Sequence, residues 1–325
     1  VTGAPAPGQV EAVVAAAGAH VPGLLSALEE RLAAVAAGHG EVLARHAGET
    51  IAAGGKRLRP LLVFLVAGPA ADAARVVRCA AAVELVHSAT LVHDDVLDAA
   101  PLRRGRPTVV AAGGRELATA TGDLLFSRAF AELTLNGSAE AVRVLSRASS
   151  ALAQGELLQR ADAWDTGVSV ERYLERCELK TARLFEAACR LGALEGGGDA
   201  DALGEFGRSV GLAFQILDDV LDVTGPVERT GKARGADLLD GTVTLPLILA
   251  RRREPRLAAV DLRSVEGAAA AEALCERIAQ TGAPEEARRR ALALVGDAKA
   301  ALPELPETQR RALHLVADGV VERYA

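Results

Sequence analysis

The chain has 325 residues, half of them apolar and a quarter charged, enough for one large domain or two ordinary ones. That balance supplies a core and excludes wholesale disorder. A formal net charge of −6 argues against a general nucleic-acid binder, which is usually basic. Alanine contributes 68 residues and aromatics only 3%, which favours helix over sheet.

Helical periodicity marks residues 10–37, 61–79, 80–98, 117–135, 139–160, 170–191, 203–223 and 245–253. The C-terminal third adds 266–280, 284–302 and 307–324. Pro22, Pro60, Pro284 and Pro306 suit breaks or first turns. No alternating run is long enough for a strand, and the breaks at 113–114, 196–198 and 224–241 do not resemble an interdomain linker. The reading is one all-α domain over residues 1–325, with the nearly all-apolar segment 80–92 at its centre. The longest uncharged stretch, 12–28, contains Gly18, Pro22 and Gly23 and falls short of the roughly 20 apolar residues of a membrane span. No stable membrane insertion and no secretory signal are expected. Cys79, Cys177, Cys189 and Cys275 lack CxxC spacing and read as reduced, buried thiols of a cytoplasmic protein.

Two segments carry the same pentapeptide, DDVLD, each after a long apolar helix. In the first it spans Asp94 to Asp98, in the second Asp218 to Asp222. Helical positions i and i+4 lie about 40° apart, so Asp94 and Asp98 share a face, as do Asp218 and Asp222. Three carboxylates crowded at the end of an apolar helix repel one another and lose hydration. Hard cations relieve that cost, and carboxylate oxygens with water and substrate phosphates are the usual surroundings of Mg²⁺. A solvated helix end explains one such cluster; it does not explain an identical pair.

Cations cluster nearby. Lys56, Arg57 and Arg59 follow a glycine pair, and Arg103, Arg104 and Arg106 follow the first acidic motif. The chain has 33 arginines and only four lysines, three of which (Lys56, Lys180 and Lys232) sit in motif-like surroundings. Arginine grips phosphate bidentately and lysine acts as a point charge, so basic runs beside metal carboxylates fit diphosphate binding.

With these motifs in order, the sequence resembles the trans-isoprenyl diphosphate synthases, the polyprenyl synthetase family, of the medium- or long-chain type. The carrying residues are GGKRLRP at 54–60, ELVHSATLVHDDVLD at 84–98, LRRGRPT at 102–108, GD at 122–123, LKTARLFEAA at 179–188, GLAFQILDDVLD at 211–222 and GKARGADL at 231–238. The resemblance implies an isoprenoid synthase helical bundle around a central cavity, working as a homodimer. Its substrates would be isopentenyl diphosphate and an allylic diphosphate, with about three Mg²⁺ ions. Asp94 and Asp98 would bind two ions bridging to the allylic diphosphate, and Asp218 the third. Asp219 and Asp222 would support it as further metal ligands, and Asp95 completes the first catalytic motif. Lys56, Arg59, His87 and Arg104 match the isopentenyl diphosphate site. Arg103, Lys180 and Lys232 match contacts to the allylic diphosphate, and Thr181 and Gln215 lie near the developing cation. Metal and cations would stabilise the departing diphosphate, leaving an allylic cation that the homoallylic double bond attacks.

One departure stands out. The family has a lysine in a G-K-x-T-L-P segment, and this chain has Gly241-Thr242-Val243-Thr244-Leu245-Pro246. One phosphate contact is missing, with Arg229 and Arg234 as candidates to replace it. Product length should depend on the helix before Asp94, where Ala89, Thr90 and Val86 are small, and Phe126 or Phe130 could form a deeper floor. An open path implies a product longer than geranylgeranyl, about C30–C50. His93 reads as packed beside the metal motif, and Tyr173 and Trp164 as core or surface residues. The alternatives are a short-chain farnesyl or geranylgeranyl synthase, a class I terpene cyclase and the partner subunit of a heteromeric synthase.

Overall fold

The computed structural model of the protein describes residues 7–103, 105–225 and 234–322. Arg104, Arg229 and Lys232 lie outside the described residues.

The expected first helix is two, α1 (Pro7–Ala17) and α2 (His20–Ala36), bent by 117° at a break that holds Gly18. Helix α3 (Glu41–Ala52) was not expected; it is short and buries only Ala47 and Ile51 of a mixed polar and apolar sequence. Helix α4 (Leu58–Ala67) buries every residue from Pro60 onward and stops at Gly68. The boundary expected between residues 79 and 80 is absent. Asp72 accepts the Arg75 backbone N–H at 3.0 Å and starts α5 (Ala73–Leu97), which runs unbroken to the first aspartates. Gly68-Pro69 is the stronger stop signal, and nothing at Cys79-Ala80 opposes helix. Helix α5 is long and apolar enough to cross a membrane, and 72% of its most apolar window is buried within the bundle, as in a core helix.

A two-residue hairpin follows, β1 (Leu102–Arg103) against β2 (Arg106–Pro107), the one departure from all-α among the described residues. Thr108 then caps α6 (Val109–Thr134), which starts earlier than expected and is kinked at Gly114. Ser138 caps α7 (Ala139–Ala161). The helix expected over 170–191 is α8 (Val170–Cys177), a π-helical turn (Glu178–Ala182) and α9 (Arg183–Gly196). Asp199 caps α10 (Ala200–Thr224), which ends in the second aspartate motif. The remainder is α11 (Ala236–Leu239), α12 (Leu245–Arg253), α13 (Pro255–Ala258), α14 (Gly267–Gln280), α15 (Ala283–Ala300) and α16 (Glu307–Glu322).

Helix α5 lies between α6 and α4, α4 packs on α9, and α10 runs between α9 and α15. Helix α16 returns to α1. Buried apolar residues from Val13 to Val320 form one continuous core, in which Phe64, Phe185 and Leu85 are fully enclosed. Each such side chain contributes roughly 1.5–3 kcal/mol on burial. The four cysteines are free and buried.

Candidate active site

The two aspartate motifs end α5 and α10, as the apolar runs before them require. Around the first, the carboxylates divide. Asp98 Oδ1 accepts from Arg160 Nη2 of α7 at 2.5 Å. Asp95 Oδ1 turns to the hairpin and accepts from Arg103 Nε at 2.8 Å. Asp94 lies within the field of Lys180 and Glu156, and burial pushes its carboxyl up to about 6. Asp94 and Asp98 thus share the face towards α7, and Asp95 does not.

Lys180 Nζ donates to Glu156 Oε2 at 2.5 Å. The contact depends on Gly155: a Cβ there would stand 2.5 Å from the Lys180 backbone nitrogen, so only glycine lets α7 approach the π turn this closely. π turns widen a helix by one residue and recur at functional sites. Glu156 also accepts from Arg160 Nε at 3.0 Å, and Lys180 is the main partner holding its carboxyl below the usual range against burial.

Beside the π turn runs a hydrogen-bonded chain. Thr181 Oγ1 donates to Gln215 Oε1 at 2.7 Å, Gln215 Nε2 donates to Asp219 Oδ1 at 2.8 Å, and Tyr173 Oη donates to Asp219 Oδ2 at 2.6 Å. Burial raises the Asp219 carboxyl to about 7, and the two donors hold it from rising further. Asp222 accepts from the Ala236 and Asp237 backbone N–H groups at 3.1 and 3.3 Å, capping α11. Both of these expected metal ligands are therefore engaged by the protein's own donors, and ligation there would exchange those bonds. Asp218 is half-buried close enough to Asp219 to raise its carboxyl. Among the described residues no three His, Cys, Asp or Glu side chains converge to hold a metal. The all-oxygen donors of half-buried Asp94 and exposed Asp98 still fit a hard cation whose other ligands are phosphate and water.

A pocket of about 170 Å³ joins the halves, lined by Gln159, Arg176, Cys177, Lys180, Gln215, Asp219, Asp237 and Thr242. Lys180 touches the first motif through Glu156 and the second through this pocket. Arg234, a candidate to replace the lysine missing at position 242, points elsewhere: it donates to Val223 O and Glu272, each at 2.8 Å.

On the other side of α5 lies a cavity of about 560 Å³ whose lining includes Gly54, Arg57, Glu84, His87, Asp95, Arg103 and Arg106. Arg57 starts α4 in a left-handed conformation, φ +48°, which costs a non-glycine residue about 1–3 kcal/mol. Four hydrogen bonds hold it: to Glu29 at 2.7 and 3.0 Å, Glu84 at 2.6 Å and Ile51 O at 3.0 Å. Lys56 on one side of it is half-buried. Arg59 lies over the Phe185 ring at 4.5 Å, its Nε buried without a partner, and burial pushes its guanidinium down to about 10.

On α5, Val86 and Ala89 are fully buried, and the Thr90 hydroxyl donates to His87 O at 2.8 Å. Phe126 does not form a deeper floor. Its ring stands 5.8 Å from that of His93, level with the metal motif, because α6 runs back antiparallel along α5. His93 packs on Gly122, where a Cβ would meet its Nε2 at 2.2 Å.

Sequence reading missed Glu156, Arg160 and Arg176, and it took Tyr173 for core or surface. The segment Gly155-Glu156-x-x-Gln159-Arg160 carried a signal, three polar side chains on one helical face after a glycine.

An all-helical bundle that sets two aspartate motifs about a shared lysine and ringing arginines defines a prenyltransferase of the isoprenoid synthase fold. The family model for polyprenyl synthetase matches residues 41–279, and the chain belongs to that family. It is 41% identical over 240 residues to heptaprenyl diphosphate synthase component 2 of Geobacillus stearothermophilus, covering 73% of this chain and 75% of that one. It is 39% identical over 298 residues to a short chain isoprenyl diphosphate synthase of Methanothermobacter thermautotrophicus, covering 87% and 91%. The crystal structure of a polyprenyl synthase from Caulobacter crescentus, complexed with calcium and isoprenyl diphosphate, superposes with a TM-score of 0.87 at 38% identity, over 97% of this chain and 98% of that one. The family is Mg²⁺-dependent and uses isopentenyl and allylic diphosphates.

Proposed function

We propose that the protein condenses isopentenyl diphosphate head-to-tail with an allylic diphosphate and releases a product longer than geranylgeranyl. The observation that carries the reaction is Lys180, which contacts Glu156 beside Asp94 and also lines the pocket with Gln215 and Asp219. The allylic diphosphate lies between the motifs, against Lys180 and Arg103; by the resemblance Lys232 is a further contact to it, and Arg104 a contact to isopentenyl diphosphate. Bound Mg²⁺, about three ions, supplies charge neutralisation for the leaving diphosphate, held by Asp94, Asp98 and Asp218. The residues of this chain do the rest. Lys56, Arg59 and His87 orient isopentenyl diphosphate. The allylic C–O bond breaks with its electron pair leaving on diphosphate, and the isopentenyl double bond forms the new C–C bond. A proton then passes to a released diphosphate oxygen. Thr181 donates its proton to Gln215, so its lone pairs face the transient cation. Apolar walls exclude water that would quench it.

Small residues at Ala89, Thr90 and Val86, with no aromatic between Ala80 and Val92, support a product of about C30–C50, along the roughly 30 Å that α5 extends below Asp94. Leu124, Phe126 and Phe130 of α6, which the chain's own core covers incompletely, support a homodimer. The name of the Geobacillus relative, a component 2, supports a second reading in which a partner chain is required. A cyclase needs only one diphosphate substrate and would leave Lys56 and Arg59 without a substrate to bind.

The test is product mass from purified protein, Mg²⁺, labelled isopentenyl diphosphate and allylic primers of increasing length. Chains beyond geranylgeranyl are expected. An end point at farnesyl or geranylgeranyl would keep the reaction and refute the length. No elongation by folded protein would favour the partner-dependent reading.

A further inference from the structure

Arg176, on the last turn of α8, is only 3% exposed. A guanidinium keeps its charge and offers five N–H donors. Nη2 donates to Val243 O at 2.5 Å, and the group lies 5.5 Å from the Tyr173 ring. Nη1 is buried with no hydrogen-bond partner, and among the described residues no carboxylate forms an ion pair with Arg176. Asp219, the nearest candidate, spends its two oxygens on Tyr173 and Gln215. A buried cation with an unused donor is costly unless an anion completes it.

The surroundings say which anion. Arg176 lines the polar pocket shared with Lys180, Gln215 and Thr242. Its bond to Val243 O brings the guanidinium beside position 242, where a threonine leaves room and supplies no charge. Two cations on one small polar pocket next to the aspartate motifs suit a diphosphate, whose oxygens accept several charge-assisted hydrogen bonds at once.

We propose that Arg176 binds the allylic diphosphate from Nη1, supplying the cationic contact that Thr242 lacks. The proposal rests on the reading that the allylic diphosphate lies against Lys180.

The test is steady-state kinetics of the full chain with each substrate varied, together with calorimetric binding of inorganic diphosphate in Mg²⁺. Arg176→Gln should raise KM for the allylic substrate about tenfold, the loss of one charge-assisted hydrogen bond. It should weaken inorganic diphosphate by a similar factor and leave KM for isopentenyl diphosphate unchanged. Arg176→Lys should recover part of the loss, and Arg176→Gln with Thr242→Lys most of it. A folded Arg176→Gln protein with unchanged allylic KM and diphosphate affinity overturns the proposal. Should that variant not fold, Thr242→Lys alone decides. A cation added where one already sits should not improve diphosphate binding, and a tenfold gain overturns the proposal. Lys180→Ala separates the two levels. If it raises allylic KM while Arg176→Gln does not, only the role of Arg176 falls; if it has no effect, the placement of the allylic diphosphate falls, and the proposal with it.

Discussion

The phenol of Tyr173, wholly enclosed, donates to Asp219 Oδ2 at 2.6 Å, while Gln215 Nε2 holds the other oxygen at 2.8 Å. The carboxylate is thereby fixed, and it fixes the Gln215 amide in turn. Nε2 faces Asp219, so Oε1 must face Thr181. Tyr173→Phe removes one oxygen and keeps the ring. We expect a loss of about 1–3 kcal/mol in stability from the undersatisfied carboxylate. We also expect kcat to fall while KM for either substrate changes little, since Tyr173 touches neither. Thermal melts and substrate-saturated rates check both. An unchanged kcat would detach the hydrogen-bonded chain from the chemistry.

Burial raises the Asp94 carboxyl to about 6 and Asp219 to about 7, from an ordinary value of 3.8. Between about pH 4 and pH 7 the metal-free folded protein holds protons that the unfolded chain has released. These two groups therefore favour the folded state most at low pH, and their contribution is lost as pH rises through 6 and 7. In chelator, Asp94→Asn should melt higher than the parent at pH 8 and show no such advantage near pH 4. A constant difference across that range would refute the titration. The same protons must leave before a divalent cation can bind, so Mg²⁺ affinity should weaken as pH drops below about 6.

Arg57 occupies a conformation that favours glycine, and two carboxylates and a carbonyl from α2, α5 and α3 keep it there. Its neighbours Lys56 and Arg59 are the expected isopentenyl diphosphate contacts. Arg57→Gly relieves the backbone and removes the anchor, so it separates the two effects. If only the backbone mattered, stability would rise. We expect it to fall by about 3–5 kcal/mol, because Glu84 is left buried without its partner. KM for isopentenyl diphosphate should rise while allylic KM holds. Equal changes in both KM values would show general loosening.

Much of this was legible in the sequence for local reasons. The i, i+4 spacing of Asp94 and Asp98 dictates a shared face, and both reach towards α7. Lys180, Thr181 and Gln215 fall together because each belongs to a recognisable segment. What was hidden is what the packing supplies. Glu156 meets Lys180 only because Gly155 lets two helix backbones approach, a relationship across 24 residues. Tyr173 reads as a core aromatic until a buried carboxylate claims its hydroxyl. Arg176 looks like one more arginine in an arginine-rich chain, and only its burial sets it apart. Phe126 failed as a floor for a geometric reason: α6 returns antiparallel and brings the Phe126 ring level with His93, near the top of α5.

That geometry returns the control of product length to α5 itself. Ala89 is fully enclosed five residues before Asp94, and Val86 is enclosed a turn deeper. A methyl group at this level lets a growing chain pass; a benzyl group fills the passage. Ala89→Phe should therefore shorten the main product, at a packing cost of about 1–3 kcal/mol. The first condensation should proceed at close to the parent rate, because the diphosphate sites are untouched. Product mass with a dimethylallyl primer reads the outcome directly. Unchanged length in a folded variant would remove Ala89 from the chain path and shift attention to Thr90, one residue round the helix and half-exposed. A shorter product from Ala89→Phe together with an unaltered one from Val86→Phe would place the chain's exit from α5 between those two turns.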